Sequence, residues 1–182
     1  MVQTIKVLAI SGSLRHNSSN TALMNAMIAL APANMEFITY GGLGDLPHFN
    51  PDIDIDVGPA PVAGLRKQLK EANGVLICTP EYGNGVPGVL KNALDWIVSS
   101  GEFVNKPTAV VSASPTPMGG DKAHDSLLLT LKMISAEIVE GGTMMIPHIT
   151  LKLNKEGIIT DPETKQELLT VIRTLGQACT NK

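Results

Sequence analysis

Short, almost wholly apolar runs, each closed by a turn and followed by a segment of helical spacing, recur along this chain and confine the folds open to it. Ile5–Ile10 is apolar apart from Lys6 and ends at Ser11-Gly12, Val75–Cys78 is wholly apolar, and so is Ala109-Val110-Val111. A strand that is apolar on both faces is buried on both faces, which is the habit of parallel sheets. Met35–Tyr40 reads as a second strand and Thr143–Ile146 as a fifth.

Between the strands the period changes to that of a helix. From Ser18 to Ala31, Ala22, Leu23, Ala26, Met27 and Leu30 share one face, and Pro32 closes the segment. Leu65, Leu69 and Ala72 mark the next helix, ended by Asn73-Gly74. Further helices run through Val89, Leu90, Ala93, Leu94 and Ile97, and through Leu127, Leu128, Leu131 and Ile134. The last spans about Pro162 to Ala178, with Leu168, Leu169, Ile172 and Leu175 on one side. Gly41–Pro61 shows neither period and reads as a connection. Strand–helix alternation repeated in this way predicts an α/β fold: a five-stranded parallel sheet with helices on both faces, joined by right-handed crossovers. No repeat or linker divides residues 1–182, so one domain is expected.

Composition excludes several functions. The formal net charge is -3 and there is no Lys/Arg run, so no nucleic-acid partner is expected. The start, Met1-Val2-Gln3-Thr4-Ile5-Lys6, has no basic flank or cleavage site, and Val7–Ile10 is too short to span a bilayer. A cytoplasmic protein without membrane contact is the expectation. Cys78 and Cys179 form no disulfide framework or metal motif, and Cys78, inside an apolar strand, is expected to be a buried, inert thiol. His16, His48, His124 and His148 lack metal spacing. Asp52-x-Asp54-x-Asp56 opens like a calcium loop, but Val57 replaces the glycine and Ala63 the final carboxylate, so a solvated acidic turn is expected and no metal. No G-x-S-x-G elbow follows a strand.

Ligands of open parallel sheets collect beyond the carboxyl ends of the strands. Three loops leave that end: Ser11–Asn20, Pro80–Pro87 and Ser112–Gly120. The first leads into a helix, whose free amides and dipole favour an anion, and Arg15 adds a fork suited to a phosphate. An ordinary N-cap at Ser18 or Ser19 explains the serines equally well. The loop lacks both the G-x-G-x-x-G of dinucleotide binders and a G-K-[ST], which favours a mononucleotide phosphate. In the second loop, Gly83, Gly85 and Gly88 permit close backbone approach beside Tyr82, as a flat heterocycle requires; a plain strand-to-helix turn started by Pro87 is the other reading. Trp96 lies well along the following helix and is expected to pack there.

Gly12-Ser13-Leu14-Arg15-x-x-Ser18-x-Asn20 and Pro80-Glu81-Tyr82-x-x-x-x-Pro87-Gly88-x-Leu90-Lys91-Asn92-x-x-Asp95-Trp96 resemble the NADPH-dependent FMN reductase family, which includes quinone, azo-dye and chromate reductases. The likeness extends to Leu46-Pro47-His48-Phe49-Asn50 and to Gly119-Gly120. It implies a flavodoxin-like fold. It implies that Ser11, Ser13, Arg15, Ser18, Ser19 and Asn20 hold the FMN phosphate. Pro80, Glu81, Tyr82, Gly83 and Asn84 would line the isoalloxazine, with Ser114 and Gly119 closing the third side. Gly83 and Gly85 stand where Asn and Ser are common in the family, so flavin contacts there fall to the backbone and to Asn84. Pro115-Thr116-Pro117-Met118 is stiffer than usual, and Lys122 stands where Arg is frequent. The resemblance further implies NADPH or NADH as electron donor, a small-molecule acceptor (free flavin, quinone, azo dye or metal oxyanion) and ping-pong turnover on one ring face. The flavin ring would carry the hydride, so no catalytic side chain is assigned, and Tyr82 would shape the face. A homodimer or homotetramer is implied too, with His48 near a neighbour's site. The rival is an electron carrier that binds FMN without meeting a nicotinamide; the mild charge and the Arg15 loop favour the reductase.

Overall fold

A computed structural model describes residues 4–56 and 58–181. Met1-Val2-Gln3, read above for a leader, and Val57 of the acidic turn lie outside the described residues. The chain order is β1 (Ile5–Ser11), α1 (Ser19–Leu30), β2 (Met35–Thr39), α2 (Ala60–Glu71), β3 (Gly74–Thr79), α3 (Gly88–Asp95), β4 (Pro107–Ala113), α4 (Asp121–Met133), β5 (Glu137–Ile146), α5 (Ile149–Lys152) and α6 (Pro162–Thr180). The five strands form one sheet in the order β2-β1-β3-β4-β5, every neighbouring pair parallel. This is the doubly wound order of flavodoxin-like folds, as the alternation predicts, with the reversal between β1 and β3.

Strand alternation assigns each apolar residue to one of two cores. Val7, Ala9, Leu76 and Val111 face α1 and α6, where they meet Leu23, Met27, Leu168, Ile172 and Leu175. Leu8, Ile10, Ile77 and Val110 point the other way, toward Leu65 and Leu69 of α2, Leu90 and Leu94 of α3 and Leu127 and Leu131 of α4. Each such side chain contributes about 1.5–3 kcal/mol of burial. Every residue of the central strands β3 and β4 is buried.

β5, α2, a 3₁₀ turn and the short α5 differ from the sequence expectation. β5 begins at Glu137, well before Thr143, because its register on β4 jumps from Thr108↔Ile138 to Val110↔Thr143 and the residues between bulge out. Glu140-Gly141-Gly142 hides that strand from any apolar pattern. Within the connection after β2, Pro51–Ile53 forms a single 3₁₀ turn capped by Asn50, and the helix expected around Leu65 begins at Ala60. Among the described residues no helix is long and apolar enough to cross a membrane.

The register brings Ser11 beside Cys78, Thr79 beside Ser112, and Ala113 beside Ile146. The three loops read above therefore leave the sheet side by side.

Candidate cofactor site

The first loop turns from β1 into α1. Ser11 Oγ and Thr21 Oγ1 share a hydrogen bond of 2.7 Å, which braces the strand against the helix. Ser18 is the N-cap, its Oγ accepting the N–H of Thr21 at 3.3 Å. The amides of Ser19 and Asn20, at the positive end of the helix dipole, meet no acceptor among the described residues. Arg15 is exposed, and its guanidinium pairs with no carboxylate among the described residues. Asn20 is buried at 4 % exposure. Its Nδ2 donates to the carbonyl of Ala113, 3.0 Å away across the sheet, whereas its Oδ1 has no partner among the described residues.

The second loop holds a tight hairpin. Tyr82 and Gly85 exchange backbone hydrogen bonds of 3.1 and 3.2 Å, and the two residues between them, Gly83 and Asn84, have φ of 57° and 58°. Left-handed backbone at both central positions is the type I′ turn, which Gly and Asn adopt with least strain. Gly-Asn here satisfies the same backbone demand that Asn-Gly satisfies elsewhere. The amides of Gly83 and Asn84 take no part in the hairpin bonds and meet no acceptor among the described residues. The hairpin is tied on both sides. Tyr82 places its Oη 3.0 Å from Ser13 Oγ in the first loop, and Glu81 Oε2 accepts the N–H of Ala123 in α4 at 3.1 Å. Pro80 is buried beneath it.

The third loop is rigid. Ser114 Oγ lies 2.6 Å from Thr116 Oγ1 and accepts the Thr116 N–H at 2.9 Å. Ser112 Oγ donates to the carbonyl of Gly119 at 2.9 Å. The amides of His148 and Ile149 donate to Thr116 and Ser114, which lashes the loop to the end of β5. Gly119 is buried and Met118 stands out at 61 % exposure.

Beside these loops lies a groove of about 710 Å³, walled by Leu14, Arg15, Leu46, His48, Tyr82 and Val89. The Leu46–Asn50 segment that forms one wall is clamped from α3. Asn92 Nδ2 and Trp96 Nε1 both donate to the carbonyl of Pro47, at 2.9 and 2.8 Å, and Asn92 Oδ1 accepts the Phe49 N–H at 2.8 Å. Trp96 is fully buried, as expected for packing, but it also positions this loop; spacing within α3 carries no sign of that. Asp54 is bonded to Ser99 and Arg66, which hold its carboxyl below the usual range, and the described residues contain no cluster able to hold a metal.

Open amides at the start of α1 beside the exposed Arg15, a buried acceptor without a donor at Asn20 and open amides at Gly83 and Asn84 thus all lie on loops that leave one end of the sheet. The family model for NADPH-dependent FMN reductases matches residues 5–150.

The chain belongs to the NADPH-dependent FMN reductase family.

Relatives agree with this assignment. The 2-hydroxy-1,4-benzoquinone reductase of a Burkholderia species is 33% identical over 169 residues, covering 91% of each chain. The quinone reductase of Escherichia coli K12 is 30% identical over 181 residues, covering 97% of this chain and 96% of that one. Among solved structures, the flavoenzyme NAD(P)H:(acceptor) oxidoreductase of Paracoccus denitrificans superposes with a TM-score of 0.82 at 30% identity, covering 98% of both chains. The chain is thus an oxidoreductase of the FMN-dependent, NAD(P)H-using kind, and the carrier reading is not favoured. The residues present fit FMN. Asn20 Oδ1 is a buried acceptor lacking a donor, and a ribityl hydroxyl is such a donor.

Proposed function

We propose that this chain reduces quinones with NAD(P)H, holding FMN across the carboxyl ends of β1, β3 and β4. The convergence of the unpaired Arg15, the open amides of Ser19 and Asn20 and those of Gly83 and Asn84 carries the reading. Arg15, the α1 amino terminus and the hydroxyls of Ser13 and Ser19 bind the phosphate. Asn20 meets the ribityl chain, and the type I′ turn presents two fixed N–H groups to the edge of the ring. Ser114 and Gly119 close the far side. FMN, when held there, would supply the redox ring through which electrons pass from a nicotinamide to an acceptor. The protein's work is to bind, orient and limit access, so no side chain is required as acid or base.

The acceptor is read from the groove and from kin. Leu14, Leu46, Tyr82 and Val89 offer apolar walls to a flat, uncharged ring, and relatives carry quinone reductase names. Leu14 at 58 % and Tyr82 at 45 % exposure line the groove, and Phe49 in the adjoining Leu46–Asn50 segment is 38 % exposed. The assembly proposed with this reading is a homodimer or homotetramer, checked by light scattering of the purified protein.

Arg15→Ala separates cofactor binding from fold. Loss of one charge-assisted phosphate contact, about 1.5–3 kcal/mol, weakens FMN binding roughly ten- to hundredfold while the apoprotein melts unchanged. Unaltered FMN affinity would exclude Arg15 from the phosphate site.

A further inference from the structure

Glu81 resembles a flavin-lining residue in sequence, yet its carboxylate is turned toward α4. That helix starts without a side-chain cap. Its N-cap, Gly120, sits in left-handed backbone at φ 83° and has no side chain with which to accept a first-turn amide. Glu81 supplies the missing acceptor from another loop, 42 residues away in sequence, by taking the Ala123 N–H at 3.1 Å. The two residues adjoin, since a Cβ on Gly120 would be in van der Waals contact with Glu81 Cβ at 3.5 Å. Lys122, in the same first turn, pairs with Asp121 at 3.1 Å, and the charge of Glu81 adds only the last of the contributions that raise its pKa.

The next residue points the other way. Successive side chains of an extended segment alternate, so Tyr82 reaches the first loop at Ser13 while Glu81 reaches the third at α4. The two side chains hold the Gly83-Asn84 turn between them. The third loop is already fixed by Ser112 and by the amides of His148 and Ile149. Among the described residues the backbone bonds of the turn are internal, from Tyr82 to Gly85, so its fastening to the neighbouring loops falls to these two side chains.

We infer that Glu81 is a positioning residue: through its reach to the Ala123 amide, not through its charge, it sets the Gly83 and Asn84 amides at the height at which they meet the flavin edge. The inference rests on the FMN site proposed above. Donors that are held in place before the ring arrives cost no reorganisation on binding, and displacing them by an ångström forfeits most of each hydrogen bond. Hydrogen bonds to the ring edge also favour the electron-rich reduced ring, so their placement tunes the reduction potential as well as affinity.

Three substitutions separate reach from charge. Glu81→Gln keeps the length and an accepting oxygen and removes the charge. Glu81→Asp keeps the charge and falls one methylene short. Glu81→Ala loses both. FMN dissociation constants, the visible flavin spectrum and the FMN reduction potential are measured for each, beginning with the wild type. The expected order is a Gln variant within about threefold of wild type, with Asp and Ala both weakened about tenfold or more and shifted in potential and band shape. Damage from Gln equal to that from Ala, with Asp spared, would overturn the inference in favour of a charge role. Lowered melting temperatures with unchanged FMN affinity, spectrum and potential would reduce Glu81 to an ordinary helix cap and equally overturn it. Failure of the wild type itself to take up FMN would sink the underlying site reading instead. Because Gln and Asp both retain a polar side chain at a half-buried position, the comparison survives if the Ala variant does not fold.

Discussion

At the scale of single residues, two buried groups make the fold's chemistry measurable. Cys78 lies at 0% exposure in β3, and burial pushes its thiol up to about 12. At pH 8 it carries almost no thiolate, so in a Cys179→Ser background a disulfide reagent should label it only after denaturation. Rapid labelling of the folded protein would mean that β3 opens. His124, in the first turn of α4, is 5 % exposed with Nδ1 unpartnered among the described residues. Burial lowers its pKa, and Asp125 pulls weakly in the opposite direction. Below about pH 6.5 the unfolded chain therefore binds a proton that the folded chain refuses, and stability falls as acid is added; above that pH the term is flat. His124→Gln should shrink the drop in urea midpoint between pH 7.5 and pH 5.5, and an unchanged drop would assign it to other groups.

At the scale of elements, the loops that make the site differ in how far sequence reveals them. The Ser18 cap, the α1 amides and the Gly-rich turn were legible because each is local: cap, helix and turn chemistry are written within a few residues. The ties between loops were not. Glu81 to Ala123, Asn20 to Ala113 and Asn92 to Pro47 join residues 42, 93 and 45 positions apart, and no short-range pattern specifies such a pair. The same limit concealed the first half of β5, where Glu137, Glu140, Gly141 and Gly142 break up the apolar pattern around Ile138 and Val139 and the strand is recruited by pairing with β4. The Asn92 clamp is open to test. Asn92→Ala removes its bonds to Pro47 and Phe49 and should cost about 1–2 kcal/mol in urea unfolding. Because His48 stands between those two anchors in the groove wall, the variant should also raise KM for the quinone with little change in kcat. Trp96→Phe leaves Asn92 on Pro47 and should cost less. A fall in kcat with KM unchanged would place the loop outside acceptor binding.

At the scale of the whole molecule, the strand order explains why the proposed site lies at one end of the sheet. Crossovers leave in opposite directions from β1 and β3, which parts the helices above the reversal and opens a cleft where three carboxyl-end loops meet. A ligand held across all three loops ties separate elements together and stabilises only the folded state. FMN at one hundred times its dissociation constant should add about 2.7 kcal/mol to unfolding and raise the melting temperature accordingly. The most direct test of the function as a whole is the visible spectrum of the FMN-loaded protein, followed without air as NADPH or NADH and then a benzoquinone are added to one cuvette. Flavin bands that bleach on addition of the nicotinamide and return on addition of the quinone are the expected result. Bands that stay unbleached by either nicotinamide, or a protein that remains colourless after FMN is supplied, would contradict it.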